Sequence, residues 1–445
     1  MKVVIVGLGE VGSYLAEILS KEKHDVVGID MDRRKLSVLE DLYDLKTIEG
    51  YGASPTVLKR ADIQNADIFL AVSNNDEVNI VAALIAQRFG AGFTVARVSN
   101  PYYLDEEELG DYGMIGIDLL ISPERRTALT IFQAIEFPQF LKVNTLSGGK
   151  VHINQLLVSS HSHFAYKKIK DLELSKDLLI VGIIRKKNFL FPNGDTTLFS
   201  NDTIFMAGKR EAMQSIDTLI PIQTNKIKRI VILGASAIGY YLAKLVGKKK
   251  RLVLIEPNND KSNQFAHLLP DCLIINGNIF ESSFLEEMRF NEHDYVIAAS
   301  ENDEINFLAS ILIRDHGVKM IACINHQSGL LDTIEKTGIQ QVFSPRLIIS
   351  NDILRTVRER DLISVQSTRN ISAEFVEFRV QAGAPIIQKK ISRLTLPPKT
   401  LLISVVREDE VIIVRGDVEL HAQDKVVVLC SHHQIKEIEK WFKKA

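Results

Sequence analysis

The chain is poor in the features that would assign it a class at a glance. It has three cysteines in 445 residues, Cys272, Cys323 and Cys430. They are far apart, keep no metal-binding spacing and lie in or beside apolar runs. That reads as reduced core residues of a cytosolic protein rather than a disulfide framework or a metal site. Charge is nearly balanced, with 54 lysines and arginines against 56 aspartates and glutamates, a net −2. A nucleic-acid binder would show a basic excess, and none is present. No uninterrupted apolar run reaches about 18 residues, the length of a membrane-spanning helix. A first strand beginning at Lys2 leaves no room for a signal peptide. Any membrane attachment is therefore expected to run through a partner. The Walker A loop, the nucleophile elbow and the paired-cysteine site are missing as well.

What the chain does contain, it contains twice. "VVIVGLGEVGSYLAEIL" at 3–19 and "VILGASAIGYYLAKLV" at 231–246 are both a strand, a glycine turn and an amphipathic helix. Gly7 and Gly12 match Gly234 and Gly239 at an offset of 227, and "AVSNNDEVN" (71–79) matches "AASENDEIN" (298–306) at the same offset. Later, "ISPERR" (121–126) echoes "FSPRLI" (343–348), and Gly194 and Asp202 match Gly416 and Asp424 at an offset of 222. The order is A–B–A′–B′, with a small deletion between the aligned blocks.

In A, β-rich runs fall at 3–6, 26–29, 46–48, 68–72, 94–98 and 119–121, with helical patterns between them. Six strands with helical crossovers predict an α/β fold, a parallel sheet covered on both faces. Ser122 is the expected N-cap of the next helix, with Pro123 in its first turn. B is shorter and β-rich: 177–208 gives two strands around a charged turn, then Asn-Gly-Asp, then another strand, a small α+β module. A polar linker, "QTNKIK" (223–228), separates the halves, and "KKKR" (248–251) reads as the solvated end of the second glycine-loop helix.

Gly7-Leu-Gly-Glu-Val-Gly12 follows a strand and opens a helix, the context that gives G-x-G-x-x-G its meaning. Gly7 allows the tight turn, Gly9 the approach of backbone to a pyrophosphate, and Gly12 close packing of helix on strand. Asp30 ends the next strand, 18 residues after Gly12, where a carboxylate accepts the hydroxyls of an adenosine ribose and repels a 2′-phosphate. This favours NAD(H) or another adenine nucleotide, although Arg33 and Arg34 lie close enough to accommodate a phosphate. Ser73 and Asn74 lie on the carboxyl edge of the sheet, where ligands of this fold bind. Arg97 is either a phosphate ligand or a structural ion-pair partner. In the second copy Ser236 replaces Gly9, Glu256 replaces Asp30, and Cys323 is aligned with Arg97. That copy is either a weaker or different site, or a turn kept for packing.

The tandem glycine loops, the "SNNDEVN"/"SENDEIN" pair, the "SPERR" helix start and the two β-rich modules resemble the TrkA family of tandem RCK (regulator of potassium conductance) proteins. These are cytosolic regulatory subunits of Trk-type potassium uptake systems, and the resemblance spans nearly the whole chain. It implies two Rossmann-like doubly wound parallel sheets, the RCK N-terminal lobes, at 1–122 and 227–345. Each is followed by a small α+β RCK C-terminal lobe, at 140–222 and 362–445. It further implies a homo-oligomer, a dimer or tetramer forming a ring of lobes, on the cytoplasmic face of a membrane potassium channel or transporter subunit. Carried onto this sequence, Gly7, Leu8, Gly9, Glu10, Val11, Gly12, Asp30, Ser73, Asn74 and Arg97 would hold NAD(H) or ATP/ADP. Gly234, Ala235, Ser236, Ala237, Ile238, Gly239, Glu256, Ser300 and Glu301 would be their counterparts.

The competing class is an NAD-dependent oxidoreductase. It would need a positioned proton donor, normally from a sizeable catalytic domain. The B segments are short and alike, and His161, His163, His432 and His433 read as exposed or packing histidines. No catalytic or metal residue is expected.

Overall fold

The structure is a computed structural model that describes residues 1–100, 103, 116–186, 188–218, 227–247, 251–339, 341–359, 364–367, 373–387, 389–431 and 434–444. The chain divides into two compact units, and each draws on both halves. One holds 1–131, 229–290 and 296–354; the other holds 132–228, 291–295 and 355–445. Duplication has thus paired like with like, A with A′ and B with B′.

In the first unit, β1 (Lys2–Val6), β2 (Asp25–Asp30), β3 (Lys46–Glu49), β4 (Ile68–Ala71), β5 (Thr94–Arg97) and β6 (Leu119–Ile121) make a parallel sheet of order 3-2-1-4-5-6. The residues expected from the sequence are the ones in the strands. Val3, Val4 and Ile5 are fully buried in succession, as a sheet covered on both faces requires. One face packs Val4, Val27, Phe69 and Ala96 against Ala82, Ala83 and Ala86 of the helix Asp76–Arg88.

The second half repeats this. Its strands β12 (Arg229–Leu233), β13 (Arg251–Glu256), β14 (Leu273–Asn276), β15 (Asp294–Ala298), β16 (Met320–Ile324) and β17 (Gln341–Phe343) follow the same order. Arg251 opens β13 rather than ending a helix. Lys248–Lys250, His432, His433 and most of the 223–228 linker lie outside the described residues. Cys323 and Cys430 are buried and Cys272 is half-buried. All three are free thiols that burial pushes up, Cys272 and Cys323 to about 11 and Cys430 to about 12.

The second unit contains two five-stranded antiparallel sheets of matching order. One is built from β7 (Lys142–Leu146), β8 (Val151–Leu157), β9 (Leu178–Arg185), β10 (Asn188–Leu190) and β11 (Thr203–Gly208), in the order 10-9-11-8-7. The other uses β18 (Ser364–Ser367), β19 (Ala373–Arg379), β20 (Thr400–Arg407), β21 (Glu410–Ile413) and β22 (Lys425–Ser431), in the order 18-19-22-20-21. The recurring Asp202 and Asp424 are buried carboxylates. Each accepts from Nε and Nη2 of a strand arginine, Arg185 or Arg407, at 2.7–2.9 Å. Such a fork pairs both carboxylate oxygens, which is what lets the charge be buried. The two sheets share one apolar core, which includes Val181, Phe205, Phe375 and Ile403. Among the described residues no helix is long and apolar enough to cross a membrane.

Candidate functional site

Three glycines shape the first loop. Gly7 has φ +88°, and a Cβ there would lie 2.6 Å from the backbone of Ser73. A Cβ on Gly12 would overlap the carbonyl oxygen of Gly7, so the helix Glu10–Lys21 can close onto the strand only with glycine at that place. Gly9 differs from both. Its φ of −74° suits any residue, and nothing lies within 4 Å of a Cβ placed on it. It is the N-cap of that helix, and no side chain caps the first turn. A helix start carries N–H groups without intrahelical partners and the positive end of the dipole, so here both point into open space.

That space, the first cavity, has two adjoining parts. One, of about 550 Å³, is lined by Gly7, Asp30, Arg33, Glu49, Tyr51, Ser73 and Asn74, among others. The next, of about 340 Å³, is lined by Gly7, Gly9, Glu10, Val11, Asp30, Ser73, Asn74 and Arg97, and also by Glu124, Ile238, His326 and Arg346. Both volumes fall in the range of small-molecule sites, roughly 300–1,000 Å³. Asp30 anchors the loop: its Oδ2 accepts from Leu8 N–H at 2.7 Å and its Oδ1 from Asp32 N–H at 2.9 Å. Each oxygen keeps a lone pair for a ligand hydroxyl. Leu8 itself is core, and Gly12 packs rather than lines. Arg33 lies 3.6 Å from Glu49, whereas Arg34 is turned to solvent. Arg97 is 3.7 Å from Glu124, an ion pair, and also lines the cavity. Ser122 caps the helix Pro123–Glu136 by accepting from Arg125 N–H at 3.1 Å.

The repeated "SNNDEVN" and "SENDEIN" motifs hold the sheet edge together. Asn79 is fully buried; its Oδ1 accepts from N–H and O–H of Ser73 at 2.9 and 2.7 Å, and its Nδ2 donates to the carbonyls of Ser73 and Arg97. Asn306 does the same for Ser300 and Ile324. Asn75 and Asn302 cap the helices that follow. Asp76 accepts from Ser99 and Asn100 N–H, as Asp303 does from His326 and Gln327 N–H. The matching clamps make Ile324 the counterpart of Arg97. The alignment of Cys323 with Arg97 is therefore one residue off, and Cys323 points into the core.

In the second loop, Gly234 repeats the turn with φ +104° against Ser300. Glu256, buried, repeats Asp30, accepting from Ala235 N–H at 2.7 Å and Asn258 N–H at 2.9 Å. Ser236 changes the outcome. Its hydroxyl accepts from Gly239 N–H at 3.2 Å and donates to the carbonyl of Ala299, so the loop caps its own helix, Ala237–Val246. The cavity there encloses only about 200 Å³ and is mostly apolar, with Gly234, Ala235, Glu256, Ser300 and Glu301 in its wall. Ser236, Ala237 and Gly239 are not in its lining, and Ile238 faces the first cavity.

His161 and His163 are exposed, with His161 Nδ1 3.1 Å from Ser160 Oγ and His163 Nδ1 3.3 Å from Lys167 Nζ. His326, which sequence reasoning passed over, lines the first cavity with Nδ1 2.8 Å from Asp303. Asp76 locks the equivalent loop without a histidine, which marks Asp303 as scaffold. No cluster of metal-ligating side chains occurs among the described residues.

Comparison with known proteins agrees with this duplicated plan. The TrkA-N domain matches residues 3–123 and 230–345, and the TrkA-C domain matches 155–220 and 375–443. A Trk system potassium uptake protein TrkA homolog 1 from Methanosarcina mazei is 32% identical over 452 residues, covering 100% of both chains. Among solved structures, the GsuK RCK domain superposes with a TM-score of 0.61 at 17% identity, over 99% of this chain and 94% of that one. The GsuK channel bound to NAD gives 0.61 at 16% identity, over 99% of this chain and 78% of that one. These two show the RCK fold. With both domains matched twice in alternation and full-length kinship to a curated member, the chain belongs to the TrkA family of Trk potassium uptake proteins.

Proposed function

We propose that this chain is a nucleotide-sensing regulatory subunit of a Trk-type potassium uptake system. It binds NAD(H) or ATP/ADP in the first glycine-loop cradle and controls potassium flux through a separate membrane subunit. The lobes at 1–122 and 227–345 are the nucleotide-binding type, those at 140–222 and 362–445 the smaller type, and several chains form a ring beneath the membrane. One observation carries the reading: the uncapped helix start at Gly9 opens on a cavity that also holds Asp30. The helix terminus suits a pyrophosphate and the carboxylate suits a ribose, an ordinary division of labour for this fold. The second cradle caps itself through Ser236 and takes pyrophosphate ligands more weakly. Relatives named for potassium uptake supply the setting.

Control requires that the ligand prefer one arrangement of the lobes over another, since equal affinity for both shifts nothing. A tenfold preference is worth about 1.4 kcal/mol per site, and several chains in a ring multiply it. The test has two parts. Thermal unfolding with NADH, ATP or ADP at 100 times Kd should show about 2.7 kcal/mol of added stability. Capture from detergent extracts should recover a Trk-type membrane subunit. Failure of both ends the proposal. An oxidoreductase would instead consume NADH steadily with some substrate, and constant absorbance at saturating enzyme is the expected result.

A further inference from the structure

The first cavity is not the work of one half alone. Arg346, in the first turn of the helix Pro345–Glu359, lines it beside Gly9 and Glu10. Its guanidinium lies 5.6 Å over the ring of Tyr14, on the glycine-loop helix, and its Nη1 is 4.0 Å from Oε2 of Glu10. That separation is an ion pair and is too long for a hydrogen bond. Its Nε is buried with no hydrogen-bond partner among the described residues, and the Nε of Arg97, across the same cavity, is in the same condition. Two guanidinium side chains, one from each half, thus line one cavity, each partly exposed and each with an enclosed Nε that finds no partner among the described residues. The exposed part of each side chain is what an anionic ligand in the cavity could meet, and a ligand with several acceptor oxygens suits two guanidiniums.

The charge pattern points the same way. Glu10 favours the helix dipole but would repel an anion arriving at Gly9. Arg346 is placed to offset it. By the "SPERR"/"FSPRLI" correspondence, Arg346 is the counterpart of Glu124. One position of the duplicated helix therefore brings opposite charges to one cavity, which a repeat kept only for packing would have no need to do.

We propose that Arg346 is an affinity-determining residue for the phosphates of the nucleotide held in the first cradle. This inference rests on the nucleotide reading above. It makes the second half part of the first site: binding draws the Pro345–Glu359 helix onto the Gly9 loop, so occupancy is felt by both lobes at once.

The test is calorimetry on the full chain with ADP, NADH and adenosine. Arg346→Gln should weaken ADP and NADH about tenfold or more, roughly 1.4 kcal/mol or above. Adenosine, with no phosphate, should change less than about twofold on the scale of measured affinities. Arg346→Lys, which keeps the charge without the fork, should fall between the two. Equal ADP affinity in wild type and Arg346→Gln overturns the inference and leaves the nucleotide reading intact. Wild type that binds no nucleotide removes the nucleotide reading first. Should Arg346→Gln fail to fold, amide exchange of wild-type residues 346–350 decides: added protection with ADP supports the inference, and unchanged exchange overturns it.

Discussion

Gly9→Ser distinguishes a ligand-binding glycine from a structural one. The substitution gives the first loop the residue that the second loop already has. At φ −74° serine is unstrained, and its Cβ would meet nothing within 4 Å. The new hydroxyl can cap the Glu10–Lys21 helix as Ser236 caps Ala237–Val246. Serine and glycine caps differ by only a few tenths of a kcal/mol, and replacing a glycine at a compatible site adds about 0.4–1 kcal/mol by restricting the unfolded chain. The unliganded protein should therefore be unchanged or more stable by up to about 1 kcal/mol. Nucleotide affinity should move the other way, because the hydroxyl occupies the N–H groups a pyrophosphate would use. Loss of one to two charge-assisted hydrogen bonds, about 1.5–3 kcal/mol each, weakens binding at least tenfold. Urea unfolding without ligand and calorimetry with ADP measure the two effects separately. A stable variant with wild-type affinity would refute the reasoning, as would a variant that loses several kcal/mol before any ligand is added.

Three further outcomes are expected. Ser236→Gly should free the Gly239 N–H and the Ala299 carbonyl, cost about 1–3 kcal/mol for the two lost buried hydrogen bonds, and raise ADP affinity at the second cradle, read as a second calorimetric step. Asn79→Ala leaves the Ser73 N–H and the Arg97 carbonyl without their partner; at about 1–3 kcal/mol per buried group, urea unfolding should report a loss near 3 kcal/mol, with weaker nucleotide binding because Ser73 lines both parts of the first cavity. His152 is buried beside Phe137, and burial, aided by Arg210, lowers its pKa from 6.5 to about 4. The unfolded chain then takes up the proton first, so this contribution is complete above pH 6.5 and is lost between 6.5 and 4, up to about 3 kcal/mol. The urea midpoint of His152→Leu should fall less between pH 7 and 4.5 than that of wild type.

The parallel sheets were legible because buried β-rich runs alternate with helical ones, and each run from Val3 to Ile121 falls on a strand, with Val72 and Val98 one residue beyond theirs. The first cradle was legible for the same reason, since Gly7, Gly9 and Asp30 act within about 30 residues of one another. What escaped depends on contacts between distant segments. Arg346 and Ile238 line the first cavity from the other half, a placement that no local pattern encodes. The alignment of Cys323 with Arg97 departs from the offset of 227 that relates the two loops; that offset carries Arg97 onto Ile324, and the Asn79 and Asn306 clamps agree with it. Ser236 stands in the sequence as the replacement of Gly9. Its effect is as a cap, a role that serine at a helix start could have suggested. His152 gave no signal, because its burial comes from the fold of the second unit rather than from its neighbours in sequence.

Titration of the full chain with NADH and with ADP, counting sites by calorimetry, tests the central claim most directly. One tight site per chain, lost in Gly9→Ser and weakened in Arg346→Gln, with any second site at least tenfold weaker on the scale of measured affinities, is the expected result. Two equal tight sites, or none, would contradict it.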